Sequence, residues 1–374
     1  MSKTDWKLYQ GVTVSPEGEK SLAAPHDEIA AMLGEDDKFC PPWRNFRQRH
    51  KAFQKQHNAP DAPLPAAPAE PDERGESFRP TPDMVEMVNV AIYLRRPLLI
   101  TGKPGTGKSS LIYAVARELK LGKVLRWPIT SRSSLQRGLY EYDAIGRLQD
   151  WQLKDLRMKQ PGGGAQPKAK NDPPANNEKD AADIGEYLRL GPLGTALLPW
   201  ERPRALLIDE IDKCDADLPN DLLNVFEEGQ FEIPELIRLR KSQREVEIRP
   251  VDSDNPVKII EGRVQCLHFP FVVMTSNGER EFPPAFLRRC VQLEIPEPEK
   301  NELWEIVKSH LGEAIEKEAE PIIGTFLDRI KKEKKQLATD QLLSAIFLLT
   351  REATPNDKQG RQKLMDSILK PLNK

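Results

Sequence analysis

The most specific chemistry in this chain is carried by Gly102-Lys103-Pro104-Gly105-Thr106-Gly107-Lys108-Ser109, with Ser110 next in line. Glycine, four residues, glycine, lysine and a hydroxyl is the spacing that wraps a phosphate chain. The glycines let backbone N–H groups turn inward, and a helix starting at the end of the loop adds its positive dipole end. Lys108 then suits the β- and γ-phosphates of a nucleotide, and the Ser109 hydroxyl suits a magnesium ion. Two acids supply what the loop lacks. Ala205-Leu206-Leu207-Ile208 delivers Asp209 and Glu210 side by side to the end of an apolar run. Asp209 joins Ser109 as a metal ligand, directly or through water, while Glu210 has the role of a general base polarising an attacking water. Asn277, in Thr275-Ser276-Asn277, ends another apolar run and could hydrogen-bond that water or the γ-phosphate. Arg288 and Arg289, in Phe286-Leu287-Arg288-Arg289-Cys290, read either as a solvated basic pair or as a finger completing the site of a neighbouring subunit.

Such residues need strands to deliver them and helices to follow. Pro97 to Thr101, Ala205 to Ile208 and Phe271 to Met274 are short apolar runs suited to buried parallel strands. Lys123 to Trp127 and Val291 to Ile295 read as two more. Thr81-Pro82-Asp83 is an N-cap signal, and Met84, Met87, Val88, Ala91 and Ile92 follow with helical spacing. Leu111, Ile112, Val115, Ala116 and Leu119 share one face of the helix after the loop. Leu218 to Glu228 predicts a helix that Gly229 can terminate. Arg244 to Ile260 reads as a hairpin around Asp252-Ser253-Asp254-Asn255-Pro256. After Pro298 the pattern is helical to the end. Strands alternating with helices, then helices alone, imply a parallel α/β core followed by a small α-helical domain.

Composition bounds the rest. Prolines number 33 in 374 residues, well above the usual share of about 5%, and they gather where no element is expected. Residues 1–80 read as a weakly structured, largely disordered leader. A helical stretch is expected near His26 to Leu33, an aromatic and basic stretch runs from Trp43 to Phe53, and Ala59 to Pro71 reads as a linker. Residues 81–297 form the α/β domain, interrupted by a disordered insertion at about 157–183, and 298–374 form the helical domain. The formal charge of -2 excludes a global basic footprint for nucleic acid. No run approaches the ~18 consecutive apolar residues of a membrane span, and the first residues lack the apolar core of a signal peptide. Four separated cysteines argue for reduced thiols in a cytoplasmic protein.

The four chemical elements, in this order, resemble the AAA+ ATPase family over residues from about 80 to 372. Gly102 to Ser109 looks like its Walker A loop, Asp209-Glu210 like Walker B, and Asn277 like sensor 1. Arg288-Arg289 looks like its arginine finger, with Arg289 favoured by its place before the closing cysteine. Within the family the MoxR-like branch fits best, a member of the helix-2-insert and pre-sensor-1-hairpin superclade. Leu139 to Leu148 with Gly185 to Leu193 is similar to its insertion, Leu222 to Gln230 to its helix after Walker B, and Arg244 to Ile260 to its hairpin. The resemblance implies ATP and Mg2+ as ligands, hydrolysis to ADP and phosphate, and a hexameric ring. It further implies chaperone-like remodelling of a protein partner, one carrying a von Willebrand factor A domain. One departure stands out: Leu337-Ala338-Thr339-Asp340-Gln341-Leu342-Leu343 carries no sensor 2 arginine, and Arg351 is a distant substitute. A nucleotide-dependent switch with weak hydrolysis is therefore an alternative. A nucleic-acid motor or loader is another, kept open by Arg238, Arg240, Lys241 and Arg244.

Overall fold

Five of the apolar runs become the strands of one parallel sheet. A computed structural model of the chain describes residues 7–11, 40–57, 65, 73–76, 78–159, 184–312, 315–331, 337–350 and 358–371. Strands β1 (Leu98–Thr101), β2 (Leu125–Pro128), β3 (Ala205–Asp209), β4 (Phe271–Ser276) and β5 (Val291–Glu294) lie in the order β5-β1-β4-β3-β2, every neighbour parallel. The longer helices are α1 (Phe46–Gln56), α2 (Pro82–Leu94), α3 (Ser110–Glu118), α4 (Ala144–Lys159), α5 (Leu218–Glu228), α6 (Lys300–Leu311), α7 (Glu316–Lys331), α8 (Thr339–Leu349) and α9 (Lys358–Ile368).

Both faces of the sheet are covered, which is why its strands are apolar throughout rather than alternating. Leu98, Ile100, Leu207 and Val273 point to one side and pack with Met84 and Val88 of α2 and with Leu111, Ile112 and Val115 of α3. Leu99, Leu206, Ile208, Val272 and Met274 point to the other side and pack with Leu218, Leu222 and Phe226 of α5. Register then decides where the chemistry meets. Thr101 lies opposite Ser276, and Met274 opposite Ile208, so the C-terminal ends of β1, β3 and β4 sit side by side. That edge is where open α/β sheets bind ligands.

The predicted punctuation holds in detail. The Thr81 side chain accepts from Met84 N at the start of α2. Gly229 takes a left-handed φ of 63° at the end of α5, with its N–H on Val225 O. The predicted hairpin forms from Glu245–Ile248 and Val257–Ile260, with Glu245 opposite Ile260. Its turn is tied to the main sheet by Arg204, 0% exposed, which pairs with Asp252 and lies 4.7 Å from the Trp200 ring centroid. The C-terminal helices form their own core around Leu303, Val307, Phe326, Leu342 and Ile346. Trp304 and Leu311, both partly buried, pack against it.

Two outcomes differ from the sequence reading. Helix α4 continues to Lys159, so residues 157–159 belong to it and not to the insertion; 160–183 lie outside the described residues. Pieces of the leader dock on the core. Phe46 is buried and stacks on Phe269 with ring centroids 5.1 Å apart. Asn89 Oδ1 accepts from Leu8 N at 2.7 Å and Tyr9 N at 3.0 Å, while Glu118 accepts from Gln10 N and Gly11 N. A chain that buries aromatic rings and satisfies its backbone N–H groups on the core gains more than a tether can. The expected helix near His26 to Leu33, most of the Ala59 to Pro71 linker and Arg351 lie outside the described residues.

Candidate functional site

The loop between β1 and α3 is shaped by glycine. Gly105 and Gly107 hold φ of 78° and 81°, where a residue bearing a Cβ is strained. Space is short as well: a Cβ on Gly105 would lie 2.7 Å from Ala338 Cβ and Thr339 N of the helical domain. Thr106 Oγ1 donates to Lys103 O at 2.9 Å and braces the turn. Lys108 Nζ donates to Gly102 O at 2.7 Å and Lys103 O at 2.8 Å, so the ammonium folds back over the loop. Burial lowers its pKa from the ordinary value, with Asp212, Asp209 and Glu210 opposing.

Asp209 sits at the meeting point of three strands and the loop. Its Oδ1 accepts from Ser109 Oγ at 2.9 Å and from Thr275 Oγ1 at 2.8 Å, and its Oδ2 from Arg126 Nη2 at 2.7 Å. Burial disfavours its ionised form, but the hydrogen bonds from Arg126, Thr275 and Ser109 prevail and hold the carboxyl below its ordinary range. Glu210 follows with a left-handed φ of 60°, its N–H held by Thr275 Oγ1 at 2.9 Å. Its carboxylate reaches Lys213 Nζ at 2.8 Å and Asn277 Nδ2 at 3.5 Å. Asn277 is fixed in turn, donating its backbone N–H to Asp212 Oδ2 at 2.8 Å.

A cavity of about 560 Å³ opens beside the loop, lined by Gly105, Thr106, Gly107 and Ser110, by Phe78 and Arg79 ahead of α2, and by Asn301, Thr339, Asp340 and Leu343 of the helical domain. That volume lies within the roughly 300–1,000 Å³ of small-molecule sites. Phe78 presses on the loop, its ring 3.1 Å from where a Gly107 Cβ would stand. The donor set suits a hard divalent cation: one carboxylate and one hydroxyl 2.9 Å apart, beside a loop shaped for phosphate oxygens. Among the described residues no group of three or more His, Cys, Asp or Glu side chains forms a metal cage; magnesium shared with a phosphate chain needs none.

The structure thus brings together Gly102 to Ser110, Asp209, Glu210 and Asn277. Arg288 and Arg289 make no contact with that cluster among the described residues. Arg288 is exposed; Arg289 donates Nε to Glu227 Oε1 at 3.1 Å and Nη1 to Ala285 O at 3.2 Å. Four contributors had no role in the sequence reading: Arg126, Thr275, Phe78 and Asp212. Only Arg126 left a signal, as a charged residue between the buried Leu125 and Trp127 of an edge strand. The model of one protein family, described as AAA domain (dynein-related subfamily), matches residues 97–290. No curated protein shows a match to the chain.

Proposed function

Because the chain belongs to the AAA domain family, in its dynein-related subfamily, we propose that it binds ATP with Mg2+ and hydrolyses it to ADP and phosphate. The observation that carries this reading is the Ser109 hydroxyl 2.9 Å from Asp209, with Glu210 next in sequence and in reach of Asn277. The loop N–H groups and Lys108 bind the triphosphate, Lys108 exchanging Gly102 O and Lys103 O for phosphate oxygens. Ser109 and Asp209 hold Mg2+, which when bound neutralises charge on the phosphate oxygens. Glu210 takes a proton from the attacking water, and Asn277 orients that carboxylate and the water. Arg289, the better anchored of the two arginines, stabilises transition-state charge in the site of an adjoining copy. The cavity between loop and helical domain takes the nucleoside.

The wider role follows by resemblance. The hairpin Glu245–Ile248 with Val257–Ile260, and helix α4 before β3, support the MoxR-like branch and a ring-forming ATPase that remodels a protein partner. The test is ATP binding and hydrolysis by wild type, Lys108→Ala and Glu210→Gln. Lys108→Ala should lose binding; Glu210→Gln should keep binding and lose hydrolysis by roughly 100-fold or more. Hydrolysis at the wild-type rate in Glu210→Gln would refute the assignment. One observation favours a second reading. The start of α8 presents Thr339 and Asp340 to the cavity, not an arginine, and a binding-only switch would assemble with nucleotide yet release negligible phosphate. A nucleic-acid motor is separated by measuring whether DNA stimulates turnover and whether salt removes that stimulation.

A further inference from the structure

Glu227 stands at the C-terminal end of α5, the helix that follows Asp209 and Glu210. Its Oε1 accepts from Arg289 Nε at 3.1 Å and from Arg44 Nη2 at 3.3 Å. The Arg289 guanidinium is a planar fork of five N–H donors. Nε is held by Glu227 and Nη1 by Ala285 O, while Nη2 has no bond among the described residues and the side chain remains 33% exposed. Arg288 differs: it is exposed, and no side-chain bond orients it among the described residues.

The leader fixes the acid that fixes the arginine. Arg44, 2% exposed, donates Nη1 to Phe226 O at 2.7 Å, and Arg49 donates Nη1 to Glu227 O at 2.7 Å. These carbonyls belong to the last turn of α5, where a helix leaves its acceptors unpaired and favours cations. The end of α5 is therefore capped by two leader arginines, with Glu227 locked between Arg44 and Arg289.

We propose that Glu227 is a positioning residue for Arg289, holding the guanidinium by its inner edge so that Nη2 is presented to the nucleotide of an adjoining copy of the chain. The inference rests on the reading above that Arg289 acts between copies. An arginine already fixed loses little freedom when transition-state charge forms, so the effect belongs to kcat and not to KM.

Mixed assemblies of the full-length chain test this. A Lys108→Ala copy cannot use its own site but keeps its finger, so it acts as donor. An Arg289→Ala copy keeps its site and acts as acceptor. Their mixture should regain hydrolysis that neither shows alone. Glu227→Gln added to the donor should lower the regained kcat about tenfold, as misplacement of a reacting group does, with KM for ATP unchanged. The same substitution in the acceptor, which has no Arg289 to hold, should leave the regained rate intact. Glu227→Asp in the donor should recover part of the loss. An equal loss from either side would mark a merely structural role and overturn the proposal, as would no loss from the donor. If the unaltered mixture regains nothing, action between copies fails first, and that failure is visible with Glu227 untouched.

Discussion

At the scale of single residues, Asp209 carries more partners than its motif implies. Arg126 occupies Oδ2 at 2.7 Å, where it competes with any cation that Asp209 and Ser109 would share. Arg126→Ala should therefore lower the Mg2+ concentration for half-maximal binding of a fluorescent ATP analogue. The expected shift is about two- to fivefold, matching the roughly 0.5–1 kcal/mol of a half-exposed pair; an unchanged Mg2+ requirement would exclude the competition. His268 gives a second prediction. Burial drives its pKa down to about 3, with Arg47, Arg95 and His50 adding repulsion. In the unfolded chain it returns to about 6.5, so between those values the unfolded state binds more protons. Its contribution is full above about pH 6.5 and is lost as pH falls towards 3. Melting temperature should fall as pH drops from 7 to 4, and His268→Phe should flatten that slope. The candidate set was legible because each of its motifs keeps a fixed internal spacing, above all Gly102 to Ser109 and the adjacent Asp209 and Glu210. Arg126 and Thr275 were not, since they meet Asp209 only across the sheet, 83 and 66 residues away in sequence.

Elements were legible wherever local signals agree. Four apolar residues bounded by turns sufficed for β1, and Thr81 and Gly229 mark helix ends because capping is decided by neighbours in the chain. The docking of α1 was harder to read. Phe46-Arg47-Gln48-Arg49-His50 is polar enough to pass for a solvated stretch, and its partners Phe226, Phe269 and Gln265 lie far along the chain. The hairpin shows how elements are joined. Arg204 and Asp252 form a buried pair between the edge of β3 and the hairpin turn. Asp252→Ala strands that guanidinium in the interior and should cost about 3–5 kcal/mol in denaturant unfolding. Replacing both by apolar residues should cost much less. If the single and double variants are equally destabilised, packing and not charge sets the cost.

At the scale of the whole molecule, the cavity beside the loop is lined by both the α/β and the helical domain, and the loop meets the latter at Gly105. Any side chain there meets Ala338 and Thr339 and adds the strain of a positive φ, about 1–3 kcal/mol. Gly105→Ala should weaken ATP binding while leaving the α/β core folded, which calorimetry and circular dichroism would separate. A chain that borrows Arg289 from a neighbour should also show a rate per copy that rises steeply with protein concentration. A constant rate down to a strictly monomeric preparation would remove the ring. The near-neutral total charge gave no hint of how arginines gather: Arg44, Arg49, Arg96 and Arg289 converge from the leader, the α/β core and the Phe286 to Cys290 segment.

Among the described residues only Arg95, Lys120, Glu210 and Glu261 combine a side chain with a positive φ. Glu210 alone of these is the proposed base, so the chain keeps a glutamate where glycine would fold more easily. Activity and ruggedness are thus opposed at one position. Glu210→Gly should melt at a higher temperature than the natural chain while turning over nothing, so selection for heat resistance alone would favour a substitution that selection for activity forbids.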